Sequence, residues 1–264
     1  MKAAVLLALL VANCLTASAQ EVAVRFAPRA EPGLSLEGLL QVPAAGHPVP
    51  GVVLCHPDPR YGGTLGSIVI AALQREFASA GWATLRFNFR GVGGSTGAFD
   101  GGSGERRDCL GALDLLRSAP GVDGSRVGLI GYSFGSWVGL QACVEDGHVL
   151  ACGCVAFPVS ATEDLSRHPY LAKLTCPTLF LTGTLDTISS LATIRALLDR
   201  YRPATSCLVQ ELEGADHFFG DPSLLQQATR AMLTFLTAQR PRPDADLAPQ
   251  APTPPADVAP TPAP

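Results

Sequence analysis

The chain has few charged residues and no cluster of basic ones. Only 16% of its 264 residues are charged, its formal net charge is −4, and its only lysines are Lys2 and Lys173. Proteins that bind nucleic acids or anionic membranes usually present dense positive patches, so we expect neither as a partner. A hydrophobic content of 47% is instead typical of one large, well-packed globular domain.

The sequence also lacks a long hydrophobic run and a metal-ligand pattern. The apolar stretch at 3–12 is too short for a stable membrane span. Cys152 and Cys154 have no second pair of cysteines or histidines at the spacing of a zinc site. Most cysteines have apolar neighbours, and we expect them to be small buried side chains. Disulfide bonds are compatible with an oxidising compartment, but the sequence specifies no pairing.

The first residues of the chain are typical of a secretory signal peptide. Residues 1–19 combine an early cation, an apolar stretch and small residues at the end, which predicts cleavage after Ala19. Lipid attachment at Cys14 is the alternative, although Asn13 is larger than the small residue usual before a lipidated cysteine. We therefore expect a secreted or periplasmic protein.

The last residues have a different composition from the rest. Nine of the 24 residues at 241–264 are proline, and most of the others are alanine, aspartate or threonine. Such a segment is expected to be disordered, because it has too little apolar surface to form a core. One folded domain is therefore predicted at 20–240.

Within this domain, short apolar runs alternate with amphipathic segments. The first two strands are expected to pair antiparallel, and later strands alternate with helices. Strands are predicted at 21–26, 34–42, 51–55, 82–89, 127–130, 151–157, 178–182 and 205–212. Helices are predicted at 67–80, 105–118, 136–144, 189–200 and 224–238. This alternation predicts an α/β fold, a mostly parallel sheet of about eight strands with helices on both faces.

Two segments match the pattern Gly-x-Ser-x-Gly. At 131–135 the pattern lies between a short apolar strand and an amphipathic stretch, where a sharp turn would expose Ser133 as a nucleophile. Glycines two residues to either side of the serine avoid a backbone clash in such a turn. The second match, at Ser95, precedes a glycine-rich stretch that cannot start a helix directly. We therefore predict Ser133 as the nucleophile and Ser95 as a loop residue.

Candidate partners for Ser133 follow two later strands. Ligands of parallel sheets bind beyond the carboxyl ends of the strands. Asp186 follows the strand at 178–182 and His217 follows the strand at 205–212. We predict His217 as the general base and Asp186 as the acid that orients its ring. The less well placed alternatives are His148 and His168 for the base, and Asp164 and Asp216 for the acid.

Four sequence blocks carry a resemblance to a known family. They are His-Pro-Asp-Pro-Arg-Tyr-Gly-Gly-Thr at 56–64, Arg-Phe-Asn-Phe-Arg-Gly-Val-Gly-Gly-Ser-Thr-Gly at 86–97, Gly-Tyr-Ser-Phe-Gly at 131–135 and Gly-Ala-Asp-His-Phe-Phe at 214–219. In this order they resemble the α/β-hydrolase superfamily, most closely small bacterial hydrolases related to dienelactone hydrolases and short esterases. The resemblance covers about 21–240 and implies the α/β-hydrolase fold with the triad order Ser, Asp, His.

A serine hydrolase also needs an oxyanion hole. The backbone N–H of Phe134, directly after the nucleophile, is the first predicted donor. The second is Asp58, because Pro57 and Pro59 near the same strand end have no N–H. The family usually has histidine where Asp58 stands, so its substrate preference does not transfer to this chain.

Neighbouring residues bear on the charge at this site. Arg60 or Arg90 would neutralise Asp58, with an ordinary structural ion pair as the alternative for Arg90. His56 is expected to anchor the loop that precedes the oxyanion donor. Four aromatic side chains are either an apolar wall of the site or part of the core: Tyr132, Phe134, Phe157 and Phe218.

The connection between the strands at 151–157 and 178–182 is only about twenty residues long. Many relatives insert a large lid there, so this chain is expected to have a minimal lid and an open site for small or flexible substrates. We predict a serine hydrolase that cleaves a small ester-like acyl bond through an acyl-enzyme, without a metal or organic cofactor. Alternatives are a short-peptide or thioester hydrolase, since the same triad serves these bonds, and a non-catalytic binding protein on the same fold.

Overall fold

A computed structural model describes residues 20–240 of the chain. The predicted signal peptide at 1–19, which includes Cys14, and the predicted tail at 241–264 lie outside the described residues. No helix between residues 20 and 240 is long and apolar enough to cross a lipid bilayer.

The described residues form eight strands and five α-helices. The strands are β1 (Val22–Phe26), β2 (Leu36–Gln41), β3 (Val49–Cys55), β4 (Ala83–Phe87), β5 (Val122–Tyr132), β6 (Cys152–Val155), β7 (Thr178–Gly183) and β8 (Cys207–Leu212). The helices are α1 (Ile68–Ser79), α2 (Ser103–Ser118), α3 (Phe134–Asp146), α4 (Leu191–Tyr201) and α5 (Pro222–Thr237).

The strands form one mostly parallel sheet, as predicted. Their order is β1-β2-β4-β3-β5-β6-β7-β8; the β1–β2 and β2–β4 pairs are antiparallel and the other pairs are parallel. The largest difference from the sequence prediction is the start of β5. It begins at Val122 rather than 127, because Val122 pairs with Val49 beyond a shift in register.

Helices cover both faces of the sheet, which confirms the predicted α/β architecture. One core contains apolar residues of α1 and α5, such as Phe77 and Met232. The other contains residues of α2, α3 and α4, such as Leu113, Val138 and Ile194. The central strands are buried on both faces and therefore read as continuous apolar runs in the sequence.

The connection from β6 to β7 is short, as predicted. Its only regular structure is two 3₁₀ turns, Leu165–Arg167 and Pro169–Lys173. The minimal-lid prediction is therefore confirmed, and no long insertion within residues 20–240 separates the carboxyl ends of the strands from solvent.

All seven cysteines between residues 20 and 240 are free thiols, and six of them are buried. Burial raises the pKa of Cys55, and that of Cys109 lies well above its ordinary value for the same reason. Buried neutral thiols behave as small apolar side chains, which is the role expected from the sequence.

Candidate active site

Ser133 occupies a sharp turn between β5 and α3. Its φ of 53° and ψ of −122° place a non-glycine residue in a strained region of backbone conformation. A Cβ at Gly131 would collide with the carbonyl group of Gly135, and a Cβ at Gly135 would collide with the backbone oxygens of Cys55 and His56. The two glycines are therefore required by the close approach of the turn to neighbouring backbone.

The structure brings the three predicted triad residues together. His217 Nε2 lies 3.0 Å from Ser133 Oγ. His217 Nδ1 lies 2.8 Å from Asp186 Oδ2 and 3.0 Å from Oδ1. The carboxylate can only accept, so the Nδ1 proton faces Asp186 and the Nε2 lone pair faces the serine hydroxyl. This arrangement allows proton transfer from Ser133 to His217.

Asp186 is held in place by further hydrogen bonds. Its side chain is fully buried, and its Oδ1 accepts hydrogen bonds from the N–H groups of Ile188 and Ser189, each at 2.8 Å. These amides fix the orientation of the carboxylate toward His217. Because the acid cannot rotate freely, the imidazole ring it holds has a defined orientation as well.

The loop that carries His217 is tied to the strand that carries Ser133. The Tyr132 hydroxyl donates to the carbonyl oxygen of His217 at 2.9 Å. Burial, with the charges of Asp186 and Asp216, raises the pKa of Tyr132 to about 12, so the hydroxyl keeps its proton. Asp216 accepts hydrogen bonds from the N–H groups of Phe218 and Gly220, so it shapes this loop, as predicted.

The two amides predicted for the oxyanion hole line the same cleft as Ser133. Phe134 is the first residue of α3, and Asp58 is the N-cap of the 3₁₀ turn Pro59–Tyr61. Neither backbone N–H has a hydrogen-bond acceptor among residues 20–240. Both N–H groups are therefore unpaired in this part of the chain, as an oxyanion hole requires, and the positive end of the α3 dipole lies at Phe134.

The charge of Asp58 is neutralised by Arg60. Arg60 Nη2 lies 2.7 Å from Asp58 Oδ2. Partial burial opposes ionisation of Asp58, but hydrogen bonds from the side chain and backbone of Arg60 outweigh it and lower the pKa of the carboxyl. Arg90 instead pairs with buried Asp108 at 2.7 Å and with Glu31. Of the alternatives left open by the sequence, Arg60 is the neutralising residue and Arg90 has a structural ion pair.

His56 anchors the loop that carries Asp58. It is completely buried; its Nε2 accepts a hydrogen bond from the Phe89 N–H at 3.0 Å, and its Nδ1 lies 2.6 Å from the Pro57 carbonyl oxygen. Since Nε2 accepts, the proton is on Nδ1 and donates to Pro57. Burial lowers the pKa of His56 to about 4, which keeps the ring neutral.

This lowered pKa predicts a loss of stability in acid. The unfolded chain binds the His56 proton more tightly, so the stabilising contribution is complete above about pH 6.5 and is lost as the pH falls toward about 4. We expect the free energy of unfolding of the wild type, minus that of His56→Gln, to fall by about 3 kcal/mol over this interval. Urea unfolding of both proteins across the interval measures this difference, and a constant difference would contradict the prediction.

The other candidates from the sequence have different roles. Ser95 donates to the Asn88 carbonyl at 2.7 Å and is a buried loop residue, as predicted. His148 lies beyond the carboxyl end of α3, and Asp164 caps a 3₁₀ turn by accepting from the Ser166 N–H. None of them hydrogen bonds to Ser133 or His217 among the residues that the structure describes.

The triad opens into a cleft of about 1030 Å³. For Phe157 the sequence left two alternatives, a wall of the site or part of the core. The structure places it in the core, with only 1% of its surface exposed. Phe99, Trp137 and Ile188 were not expected there, and no local pattern in the sequence marks them. The aromatic and aliphatic side chains along the cleft are Pro57, Tyr61, Ile68, Phe99, Tyr132, Phe134, Trp137, Pro158, Ile188 and Phe218.

Comparison with known proteins identifies the family. The family model described as X-Pro dipeptidyl-peptidase (S15 family) matches residues 33–205, which include Ser133 and Asp186 but end before His217. An uncharacterized protein from Rickettsia prowazekii is 33% identical over 177 residues, which are 64% of this chain and 72% of the relative.

Two solved structures are similar over most of the chain. One is a protein of unknown function from Agrobacterium tumefaciens, described as a candidate α/β hydrolase, with 30% identity and a TM-score of 0.70 over 82% of this chain and 97% of that chain. The other is an α/β serine hydrolase homologue from Coxiella burnetii, with 25% identity and a TM-score of 0.67 over the same shares. The resemblance to α/β hydrolases is confirmed, and the chain belongs to the X-Pro dipeptidyl-peptidase (S15) family of this superfamily.

Proposed function

We propose that the chain is a serine hydrolase that cleaves small acyl esters through an acyl-enzyme on Ser133. The observation that carries this proposal is the unbroken line of hydrogen bonds from Ser133 through His217 to Asp186. A nucleophile, a base and an orienting acid in contact are the minimum machinery of this reaction class.

The first half of the proposed reaction forms the acyl-enzyme. Ser133 Oγ attacks the ester carbonyl carbon while its proton passes to His217 Nε2, and Asp186 stabilises the resulting imidazolium. The carbonyl oxygen becomes an oxyanion that accepts hydrogen bonds from the N–H groups of Phe134 and Asp58. The carbon–oxygen bond to the alcohol then breaks, and His217 returns the proton to the departing oxygen.

The second half releases the acid. A water molecule gives a proton to His217 as its oxygen attacks the acyl carbon. The bond to Ser133 Oγ breaks, and the serine recovers its proton from His217. The open side of the cleft supplies this water, since the short connection between β6 and β7 does not enclose the site.

Two features support esters over amides as substrates. The cleft walls are largely aromatic and aliphatic, which suits an apolar acyl group. Ester carbonyls are also more electrophilic than amide carbonyls, and an alcohol leaves more easily than an amine. The activation barrier that a site with one base and two backbone donors must lower is therefore smaller for an ester than for an amide.

The family match supports a second candidate, the release of X-Pro dipeptides from peptides. Both candidates use the same triad, so the leaving group decides between them. A panel of p-nitrophenyl esters, the matching thioesters, and aminoacyl and Ala-Pro p-nitroanilides separates them.

We expect kcat/KM for the best ester to exceed that for the best anilide by at least about 100-fold, or about 2.7 kcal/mol of transition-state stabilisation. Faster cleavage of the Ala-Pro anilide would establish the peptidase instead. If the folded protein turned over none of these substrates, the result would favour the third alternative, a non-catalytic binding protein on the same fold.

A further inference from the structure

Two side chains of the cleft, Arg60 and Phe99, connect the residues that carry the two proposed oxyanion donors. The Cζ atom of Arg60 lies over the Phe99 ring, 4.6 Å from its centre. Arg60 also pairs with the carboxylate of Asp58. The centre of the Phe99 ring lies 5.6 Å from that of Phe134. We call Arg60 and Phe99 the bridge, because they join Asp58 to Phe134 through contacts between side chains.

Arg60 binds the Asp58 carboxylate with its backbone and its side chain. Its N–H donates to Asp58 Oδ1 at 2.9 Å, its Nε donates to the same oxygen at 3.1 Å, and its Nη2 donates to Oδ2 at 2.7 Å. Arginine–carboxylate pairs with two parallel hydrogen bonds have a defined geometry. Only 15% of the Asp58 side chain is exposed, so water competes weakly for its oxygens. These contacts therefore restrict the rotation of Asp58.

The N–H of Asp58 belongs to the peptide group that joins this residue to Pro57. The carbonyl oxygen of that peptide lies 2.6 Å from His56 Nδ1, which donates to it. A trans peptide is planar, and its C=O and N–H point in opposite directions, so this bond restrains the plane from the carbonyl side. Pro57 and Pro59 have no N–H that could restrain the chain around Asp58. The contacts of Asp58 with Arg60 supply the second restraint.

Phe99 restricts the other partner of the ion pair. The Arg60 side chain is 60% exposed, and an exposed arginine otherwise samples many rotamers. The face of an aromatic ring attracts a guanidinium group and aligns its plane. Phe99 in turn packs against Phe134, which also contacts Phe89 at 5.9 Å between ring centres. The bridge thus ends on a packed residue that carries the other donor.

We propose that Arg60 and Phe99 are positioning residues, which hold the Asp58 N–H at the distance from the Phe134 N–H that an oxyanion requires. This proposal rests on the proposed function, because the oxyanion forms during acyl transfer. Donors fixed in advance stabilise the charge that develops in the transition state more than they stabilise the bound substrate. Loss of the bridge should therefore lower kcat and leave KM unchanged.

The kinetic test uses an uncharged p-nitrophenyl ester. Removal of a whole oxyanion donor costs about 10²–10³ in kcat, and a displaced donor costs less. We expect Arg60→Ala to lower kcat by about tenfold and Phe99→Leu by about threefold, with KM within about twofold of the wild type. Because both residues act through one contact, the double variant should be no slower than Arg60→Ala. Multiplied losses, about 30-fold, would contradict the bridge.

Arg230→Ala is the matched control. Arg230 is 68% exposed and pairs with Glu76, and neither residue lines the cleft. This variant should keep the wild-type kcat and KM, and urea unfolding checks that each variant is folded.

Two results would assign a different role to Arg60. Addition of Asp58→Asn to Arg60→Ala removes the charge that Arg60 neutralises, and kcat should stay about tenfold below the wild type. Recovery of kcat would overturn the positioning role in favour of charge neutralisation alone. A higher KM at constant kcat in Arg60→Ala would overturn it in favour of direct contact with the substrate.

An alkyl trifluoromethyl ketone tests the donors without turnover. Ser133 Oγ adds to its carbonyl carbon, the serine proton passes to His217 Nε2, and the ketone oxygen becomes an oxyanion like that of the transition state. The matching methyl ketone is much less electrophilic and measures ordinary binding. By calorimetry we expect Kd of the fluorinated ketone to be about tenfold higher in Arg60→Ala, and Kd of the methyl ketone to be unchanged.

Failure of this proposal and failure of the proposed function give different results. If binding of the fluorinated ketone depends on Arg60 but the wild type hydrolyses no ester, only the proposed function fails. If esters are hydrolysed and Arg60→Ala binds the fluorinated ketone as tightly as the wild type, only the positioning role fails. If the wild type binds the fluorinated ketone no more tightly than the methyl ketone, no oxyanion is stabilised and both are contradicted.

Discussion

Replacement of Ser133 by alanine is expected to lower kcat/KM for a p-nitrophenyl ester by about 10⁶-fold. The residual rate would come from substrate binding and the two backbone donors alone. The reason is geometric. Ser133 Oγ lies 3.0 Å from His217 Nε2, and the other nitrogen of the His217 ring contacts the buried Asp186 carboxylate. Initial rates with the purified variant, corrected for spontaneous hydrolysis, measure the loss.

Ser95→Ala provides the matched control, because Ser95 is the central residue of the other Gly-x-Ser-x-Gly segment. Its hydroxyl donates to the Asn88 carbonyl and accepts from the Glu37 N–H at 3.0 Å. Loss of these bonds should cost stability but change kcat/KM by less than about tenfold. A Ser133→Ala variant that keeps one per cent of the activity would contradict the nucleophile assignment.

Asp186→Asn is expected to lower kcat by about 10⁴-fold while the protein stays folded. The asparagine oxygen can still accept from the N–H groups of Ile188 and Ser189. The side-chain amide then faces His217 as a donor and turns the imidazole to the tautomer whose Nε2 carries the proton. That nitrogen cannot accept the proton of Ser133, so the base is lost without a large change in shape.

Asp216→Asn is the corresponding control, because this acid is adjacent to the base in sequence. Asp216 binds the backbone of its own loop and makes no hydrogen bond to the His217 ring. We expect kcat within about tenfold of the wild type. We would measure kcat for both variants and check their folding by circular dichroism. Equal losses of kcat would contradict the specific role of Asp186 and show that any disturbance of the loop around His217 lowers activity.

The sequence could predict that the side chains of the proposed triad meet, because each of the three residues has a local signal. Ser133 lies between a strand and a helix and is flanked by glycines, and the structure shows that side chains at these glycines would collide with backbone. Asp186 and His217 follow buried strands whose apolar runs are clear in the sequence, and the ends of parallel strands meet at one edge. Chain order, hydrophobic periodicity and the flanking glycines were therefore sufficient to predict that these three side chains lie close together.

Other parts of the site have no such signal. The choice between Arg60 and Arg90 depended on Asp108 and Glu31, which are brought to Arg90 only by the packing of distant segments. Phe99 reaches the cleft from a glycine-rich loop, and His168 enters it from a connection without periodicity. Contacts between irregular segments are set by tertiary packing, which a single sequence does not encode in a local pattern.

Reaction of the purified protein with a fluorophosphonate probe is the most direct test of Ser133 as an activated nucleophile. The probe forms a covalent bond with a serine whose hydroxyl is activated by a base. We predict a single adduct, located by mass spectrometry on the peptide that contains Ser133, and no adduct on Ser133→Ala. A folded wild-type protein that stays unlabelled, or that is labelled at another serine, would contradict the assignment.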